Sequence, residues 1–443
     1  MIDKWFFKQV DNSALIVFRI FFGILITLEA WGAIASGWVR RTLVEPQQTF
    51  NFIGFDFLQI FVGPQMYIFY AVLGLFGVFV MLGYRYKFSM AMYTVMWTIT
   101  YLLQKSSYNN HYYLLILICI FMLIVPAHRY FSLDAKRQPS LKAISCPNWI
   151  YIFIILQLFI VYTYASVAKW YPDWLDFSVA KMLMQSRADY WLVGDLLQQH
   201  WAHVIITYFG ILFDLLVVPL LLWKPTRKPI FIFGIFFHLF NSIVFQIGIF
   251  PYLSLAFCLF FFPVKTIHKN FLRRKPFYDK NEIIIPNYKP YFIPFVVAWF
   301  IIQVTLPLRH WLIKGDVLWT EEGHRLSWRM MLRSKSGITS FRIVDKETGK
   351  ETYVNRNDYL TNKQIRTVST KPDCMWQFAQ RLKKEYAEQG KAIEVYVNAR
   401  VSVNQKPHQQ LIDPKVDLAA AEWNYFWHNN WVLLPEEEKE VKK

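Results

Sequence analysis

The chain has 443 residues, 55% of them hydrophobic and 19% aromatic, with a formal net charge of +17. Soluble chains rarely reach this apolar fraction, so the composition points to a bilayer. The bases cluster beside apolar runs and form no groove interleaved with aromatics, which argues against a nucleic-acid partner.

About 20 apolar residues carry a helix across the hydrocarbon core. Runs of that kind lie near 14–35, 66–84, 88–104, 111–126, 148–168, 203–223, 230–247, 250–264 and 291–307. The run from Ala14 lacks a small-residue cleavage site and reads as a retained anchor. The run 250–264 is short enough to be re-entrant, so nine spans are expected, with eight as the alternative. Cys119, Cys146, Cys258 and Cys374 stand far apart with no C-x-x-C spacing, and neither a metal site nor a disulfide framework is expected.

Lysine and arginine stay preferentially on the cytoplasmic side. The loops with Arg85 and Lys87, with Arg129, Lys136, Arg137 and Lys142, with Lys224, Arg227 and Lys228, and with Lys265 to Lys280 alternate along the chain. They are expected inside, with the N-terminus. Arg40 and Arg41 run against that assignment. The segment after Pro307 then lies outside, on the face of the loops at 105–110, 169–202 and 248–250.

From about residue 308 the sequence is that of a water-exposed domain. Thr339–Val344 and Glu351–Asn355 alternate around the polar turn Asp345–Lys350, as in a hairpin. Pro372 suits the first turn of a helix with the apolar stripe Cys374, Phe378, Leu382 and Tyr386, and Gly390 suits the position past its end. Ile393–Asn404 reads as a strand and Glu436–Lys443 as a disordered tail. The expected fold is a polytopic α-helical membrane protein of about nine transmembrane helices, residues 1–307, with a small α+β extracytoplasmic C-terminal domain, residues 308–443.

Ionisable groups at bilayer depth are costly and are either paired or functional. Arg19 and Glu29 lie in the first run, His111 opens the fourth, Lys169 ends the fifth, Asp214 lies in the sixth and His238 in the seventh. Arg19, Glu29 and Asp214 read first as structural groups that lock helices. His238 and Asn241 are one turn apart and share a face. Lys169, among Trp170, Tyr171 and Trp174, reads either as a snorkelling interfacial lysine or as a shielded amine able to act as a base.

Lys-Ser-Ser-Tyr-Asn-Asn-His at 105–111 resembles a segment of the vitamin K-dependent γ-glutamyl carboxylase family. Phe159 to Tyr162 with Lys169, Asp173 and Trp174, then Phe237-His238 to Asn241-Ser242 with Ile247-Gly248, resemble further segments in order. So do Leu306-Pro307 with His310, Trp319-Thr320 to Ser327-Trp328 with Met330-Met331, and Val401 to Asn404 with Asp413-Pro414, Val416 and Asp417. The sequence departs from the animal enzyme in stopping soon after Asp413-Pro414, which bears on recognition of a propeptide-tagged substrate, and in having Ala168 before Lys169.

The resemblance implies a membrane enzyme that couples epoxidation of vitamin K hydroquinone, of menaquinol or phylloquinol type, to carboxylation of a protein or peptide glutamate. Oxygen and carbon dioxide are co-substrates, and no metal is implied. It implies Lys169 as the base and His111 as a catalytic partner. Asn109, Asn110, Tyr162, His238 and Asn241 are then expected at the cofactor, a membrane lipid quinone entering laterally. Arg309, His310, Arg325 and Arg333 are expected near the glutamate. For a bacterial relative the membrane is the inner membrane, with the site extracytoplasmic. The alternatives are a quinone oxidase or epoxidase without carboxylation, and a non-catalytic transporter or scaffold with a solvated Lys169.

Overall fold

The computed structural model of the protein describes residues 2–280, 282–330 and 332–435. Met331 of the matched stretch and the tail Glu436–Lys443 lie outside the described residues. Each of the nine apolar runs contains helix: α1 Ser13–Ala35, α2 Gln65–Leu82, α3 Tyr86–Leu103, α4 Asn110–Ile124, α5 Trp149–Val167, α6 His200–Leu222, α7 Arg227–Val244, α8 Phe250–Phe257 and, after the short α9 Val264–Phe271, α10 Lys289–Leu308.

Six of these stretches are long and apolar enough to cross a membrane: α1, α2, α5, α6, α7 and the stretch Lys289–Trp311 that contains α10. A seventh arises if Phe250–Phe260 and Val264–Phe271, bent by 113° at their junction, form one span. That bend falls at Pro263, where the missing N–H and the restricted preceding residue break a helix. The other two runs are weaker. Helix α4 has 15 residues, about 22 Å at 1.5 Å per residue against a core of about 30 Å. Helix α3 carries Lys87, Ser89, Thr94, Thr98 and Thr100.

Small residues set the tightest helix contact. A Cβ on Gly23 would lie 2.4 Å from the backbone of Met81, one on Gly77 2.5 Å from Thr27, and one on Gly74 2.0 Å from Trp31. The Thr27 hydroxyl and the Trp31 indole donate to the carbonyls of Gly74 and Ala71 across this seam, at 3.5 and 3.1 Å. Such glycines allow backbones to approach where lipid offers no hydrophobic gain. Helix α2 then packs on α3, α3 on α4, α5 on α6 and α10, and α6 on α7.

Loops gather at two ends. At one end β1 (Gln9–Asp11) pairs antiparallel with β2 (Ser145–Pro147), Lys275 meets Asp11 at 2.5 Å, and Lys289 meets Asp3 at 2.7 Å. Asp134 accepts from the backbone of Arg85 and Tyr86, and Arg19 donates to the carbonyls of Ala127 and Phe131. Three of the base-rich loops and the N-terminus therefore share one side. Arg19 locks helix to loop, as a structural group would.

At the other end the C-terminal sheet domain sits on the loops at 36–64 and 104–110 and on the turn after α5. Its antiparallel strands run in the order β4-β3-β5-β6: β3 Lys335–Asp345, β4 Glu351–Tyr353, β5 Ile393–Val403 and β6 Gln409–Gln410. Alternation buries Phe341 and Ile343 from β3 with Val395, Val397, Ala399 and Val401 from β5. Helix α11 (Asn362–Val368) precedes α12 (Pro372–Glu388), which covers this face with Cys374, Phe378 and Leu382. Asp345 accepts from Glu347 and Thr348 to close the hairpin turn, and Gly349 and Gly390 take the left-handed φ that ends turn and helix.

Candidate active site

Helix α5 stops because Pro172 follows and forces Tyr171 into extended backbone, φ −145° and ψ 159°. The freed turn folds Lys169 back over its own helix instead of toward the interface. Its Nζ donates to the Ala165 carbonyl at 2.9 Å and to Asp214 Oδ2 at 2.6 Å, and lies 5.9 Å from the centre of the Trp174 ring. Lys169 and Asp214 are each 8% exposed. The geometry is that of a buried pair, not of a snorkelling lysine.

Asp214 reaches this turn because α5 and α6 are in close contact, the Ser166 hydroxyl donating to the Ile211 carbonyl at 3.0 Å. The pair lines a cavity of about 310 Å³. His111, Tyr162 and Asn241 are its other polar lining residues, and Trp174, Phe209, Phe237, Phe240 and Phe250 are among the aromatic ones. The His111 ring stacks on Phe250 with centroids 4.0 Å apart. Ile205, Phe233 and Phe236 also line the cavity yet are 55%, 56% and 67% exposed, so its mouth opens sideways between α6 and α7.

Other expected residues stand beside the cavity. His238 is buried behind Tyr162, Nε2 to hydroxyl 3.3 Å, and its Nδ1 has no hydrogen-bond partner among the described residues. Asn109 caps α4 by accepting from the Tyr112 N–H at 2.8 Å. Asn110 accepts from the Tyr108 hydroxyl at 2.8 Å and donates to the Arg329 carbonyl at 2.9 Å. Both asparagines hold the loop that presents His111, and neither lines the cavity.

A second, more polar cavity of about 460 Å³ lies on the other side of the same turn. Ala168 lines it while the adjacent Lys169 lines the first, so one turn separates an apolar chamber from a water-side one. His310, Asp316 and Arg329 face this second chamber. His310 Nδ1 lies 2.7 Å from the Pro307 carbonyl and Nε2 3.3 Å from Arg329 Nη1. The carbonyl and the guanidinium together select the tautomer with the proton on Nδ1.

Of the four expected glutamate-side residues, only His310 lines that chamber. Arg309 donates to the Arg325 carbonyl at 2.7 Å. Arg325 pairs with Asp373 at 2.8 Å, and Asp373 also holds Lys105 at 2.5 Å. Burial opposes ionisation of Asp373, but Arg325 and Lys105 outweigh it and hold the carboxyl well below the usual range. Arg333 pairs with Glu321, where Arg333 and Lys335 likewise overcome burial. Arg329, which sequence reading passed over between Trp328 and Met330, presents its guanidinium instead. Its signal was a charged residue inside an aromatic and methionine cluster.

Residues 7–265 match the HTTM domain family, and residues 288–438 match the family described as vitamin K-dependent gamma-carboxylase, lumenal domain. No solved structure matches the chain.

Proposed function

Since the chain belongs to the vitamin K-dependent γ-carboxylase family, we propose that it carboxylates glutamate in a protein or peptide while epoxidising a reduced naphthoquinone. The observation that carries this reading is the buried Lys169–Asp214 pair at the wall between an apolar chamber and a polar one. The transporter or scaffold reading expects a solvated Lys169, whereas this amine is buried.

The apolar chamber fits a quinone ring. Aromatic side chains make up much of its wall, a few polar groups are set among them, and the mouth between α6 and α7 suits a lipid tail. When bound, the reduced quinone supplies, with oxygen, the base that removes the glutamate γ-hydrogen before carbon dioxide adds. Lys169, which lines this chamber, takes up and returns a proton at Nζ. Asp214 fixes Nζ in place and balances its charge. His111, held by the Phe250 stack, is the hydrogen-bonding partner for developing negative charge. Tyr162, backed by His238, and Asn241 orient the ring. On the water side Arg329 receives the glutamate carboxylate, and His310, whose Nε2 faces that guanidinium, orients it.

All nine apolar helices then traverse or enter the bilayer, with the N-terminus cytoplasmic and the C-terminal domain outside a bacterial inner membrane. The shared end of the base-rich loops and the N-terminus supports this orientation. The deciding experiment measures carbon dioxide incorporation into a glutamate peptide and quinone epoxide in the same tubes, with wild type and Lys169→Ala. Incorporation that vanishes in the variant is expected. Epoxide without incorporation points to quinone chemistry alone, and neither product from folded protein removes the enzymatic reading.

A further inference from the structure

Arg40 and Arg41 are the bases that oppose the topology, since they follow α1 on the side away from the other base-rich loops. Arg40 pairs with Glu45 at 3.0 Å. Arg41 has no carboxylate among the described residues and is exposed, its guanidinium 2.9 Å from where a Cβ on Gly37 would stand. It lies instead beside bases of the C-terminal domain. Lys363 is half-buried over the Trp38 ring, at 5.7 Å, with Nζ against the hydroxyls of Thr42 and Ser107. Arg41, Lys371 and Arg366 are all close enough to repel it, and with burial they bring Lys363 down to about 8.

Like charges held together in a partly dry junction are unfavourable unless an anion joins them. The nearby acids are spoken for: Asp373 holds both Lys105 and Arg325, and Glu321 both Arg333 and Lys335. The positive run also has a direction. From the rim at Arg41, Lys363 and Arg366 it passes to Lys371, which faces the Arg325–Asp373 pair, and Arg309, donating to the Arg325 carbonyl, lies beyond that pair. The next residue is His310, in contact with Arg329 at the water-side chamber.

A lipid headgroup would engage the rim alone, whereas an extended chain bearing several carboxylates matches a run that leads inward. We propose that Arg41, Lys363, Arg366 and Lys371 form an exosite for a carboxylate-rich stretch of polypeptide. The site deepens the carboxylase reading by naming an acidic segment beside the reacting glutamate as its ligand. It can be tested without turnover.

The full chain in nanodiscs of zwitterionic lipid would be titrated with fluorescein-labelled hexaglutamate and hexaglutamine peptides, following anisotropy at low and moderate salt. Wild type should prefer hexaglutamate, and salt should weaken that preference. Arg41→Glu/Arg366→Glu, at two exposed positions, should weaken hexaglutamate about ten-fold and leave hexaglutamine unchanged. Lys169→Ala should bind as wild type does, so failure of the carboxylation assay and failure of the exosite remain separate results. Equal binding of the two peptides by wild type would overturn the proposal. So would a double variant that keeps its hexaglutamate affinity while losing, in a second set of nanodiscs doped with phosphatidylglycerol, the thermal stabilisation that this anionic lipid gives wild type, which would make the patch a headgroup site.

Discussion

Lys169 Nζ and Asp214 Oδ2 stand 2.6 Å apart, joining residues 45 positions distant in sequence. The contact ties the terminal turn of α5 to the middle of α6 and sets the amine at the chamber wall. Asp214→Asn keeps the shape and one acceptor but removes the charge that balances Nζ. Carbon dioxide incorporation and epoxide formation should both fall by about 10²-fold or more, with the peptide KM unmoved. Stability separates this from general damage. Asp214→Leu strands one buried charge, at about 3–5 kcal/mol, and Asp214→Leu/Lys169→Met should recover most of that in thermal unfolding while remaining inactive.

Gly210 faces the chamber from α6, and a Cβ there would meet only the Trp174 ring, at 4.0 Å. There is room at this position, so Gly210→Ala should be silent. Gly210→Phe should occupy the chamber and raise the KM for the reduced quinone about ten-fold, taking loss of one favourable burial as about 1.5 kcal/mol. The KM for the glutamate peptide should stay as it was, and the unfolding temperature should not fall. A rise in the peptide KM instead would place the peptide, and not the quinone, in this chamber.

Much of this was legible in the sequence, for identifiable reasons. Long apolar runs and the alternation of Thr339–Val344 report on burial directly, so helices and hairpin fell where expected. His111, Tyr162, Lys169 and Asn241, drawn from three separate segments, line one cavity. What sequence could not supply was partnership. Asp214 read as a structural acid because nothing in its own run names Lys169. Arg325 and Arg333 looked like free cations because Asp373 and Glu321, which neutralise them, are recognisable as buried only once the chain folds. Asn109 and Asn110 looked like site residues for the same reason, since a cap and a loop tie have the same composition as a binding group. The span count stays between the six or seven stretches that qualify by length and composition and the nine runs, because α4 is short and α3 is polar.

The α1–α2 seam gives a prediction about assembly. Gly23 opposes the Met81 backbone, which cannot swing aside as a side chain can. Gly23→Val should force the helices apart and cost about 1–3 kcal/mol, the usual range for overpacking. Gly32, with open space around it, serves as the control, and Gly32→Val should be far milder. Thermal unfolding in detergent of the two variants checks the difference.

Asp373 is 3% exposed and holds Lys105 of the membrane domain and Arg325 of the outer segment together. Asp373→Asn leaves two buried cations facing each other across the domain junction. The expected loss is about 3–5 kcal/mol, felt locally as release of the sheet domain from the 104–110 loop. Limited proteolysis should then cut near that loop while the sheet domain itself survives. Because His111 follows the loop, activity should fall even at temperatures where the variant is folded.

Lys335 and Lys363 predict an alkaline effect of definite sign. Burial brings each down to about 8 from the ordinary 10.5, although Glu321 supports the charge on Lys335. Below about 8 both folded and unfolded chains hold these protons, and the folded state carries the full cost of the buried charge. Between 8 and 10.5 the unfolded chain binds more protons than the folded one, so stability contributed by these two groups rises with pH across that window. Lys363→Met removes one such group. The unfolding temperature of wild type relative to this variant should therefore climb from about pH 7 to about pH 10. A difference that stays flat, or that falls, would mean that Lys363 is hydrated in the folded protein and that the cation cluster around it is open to solvent.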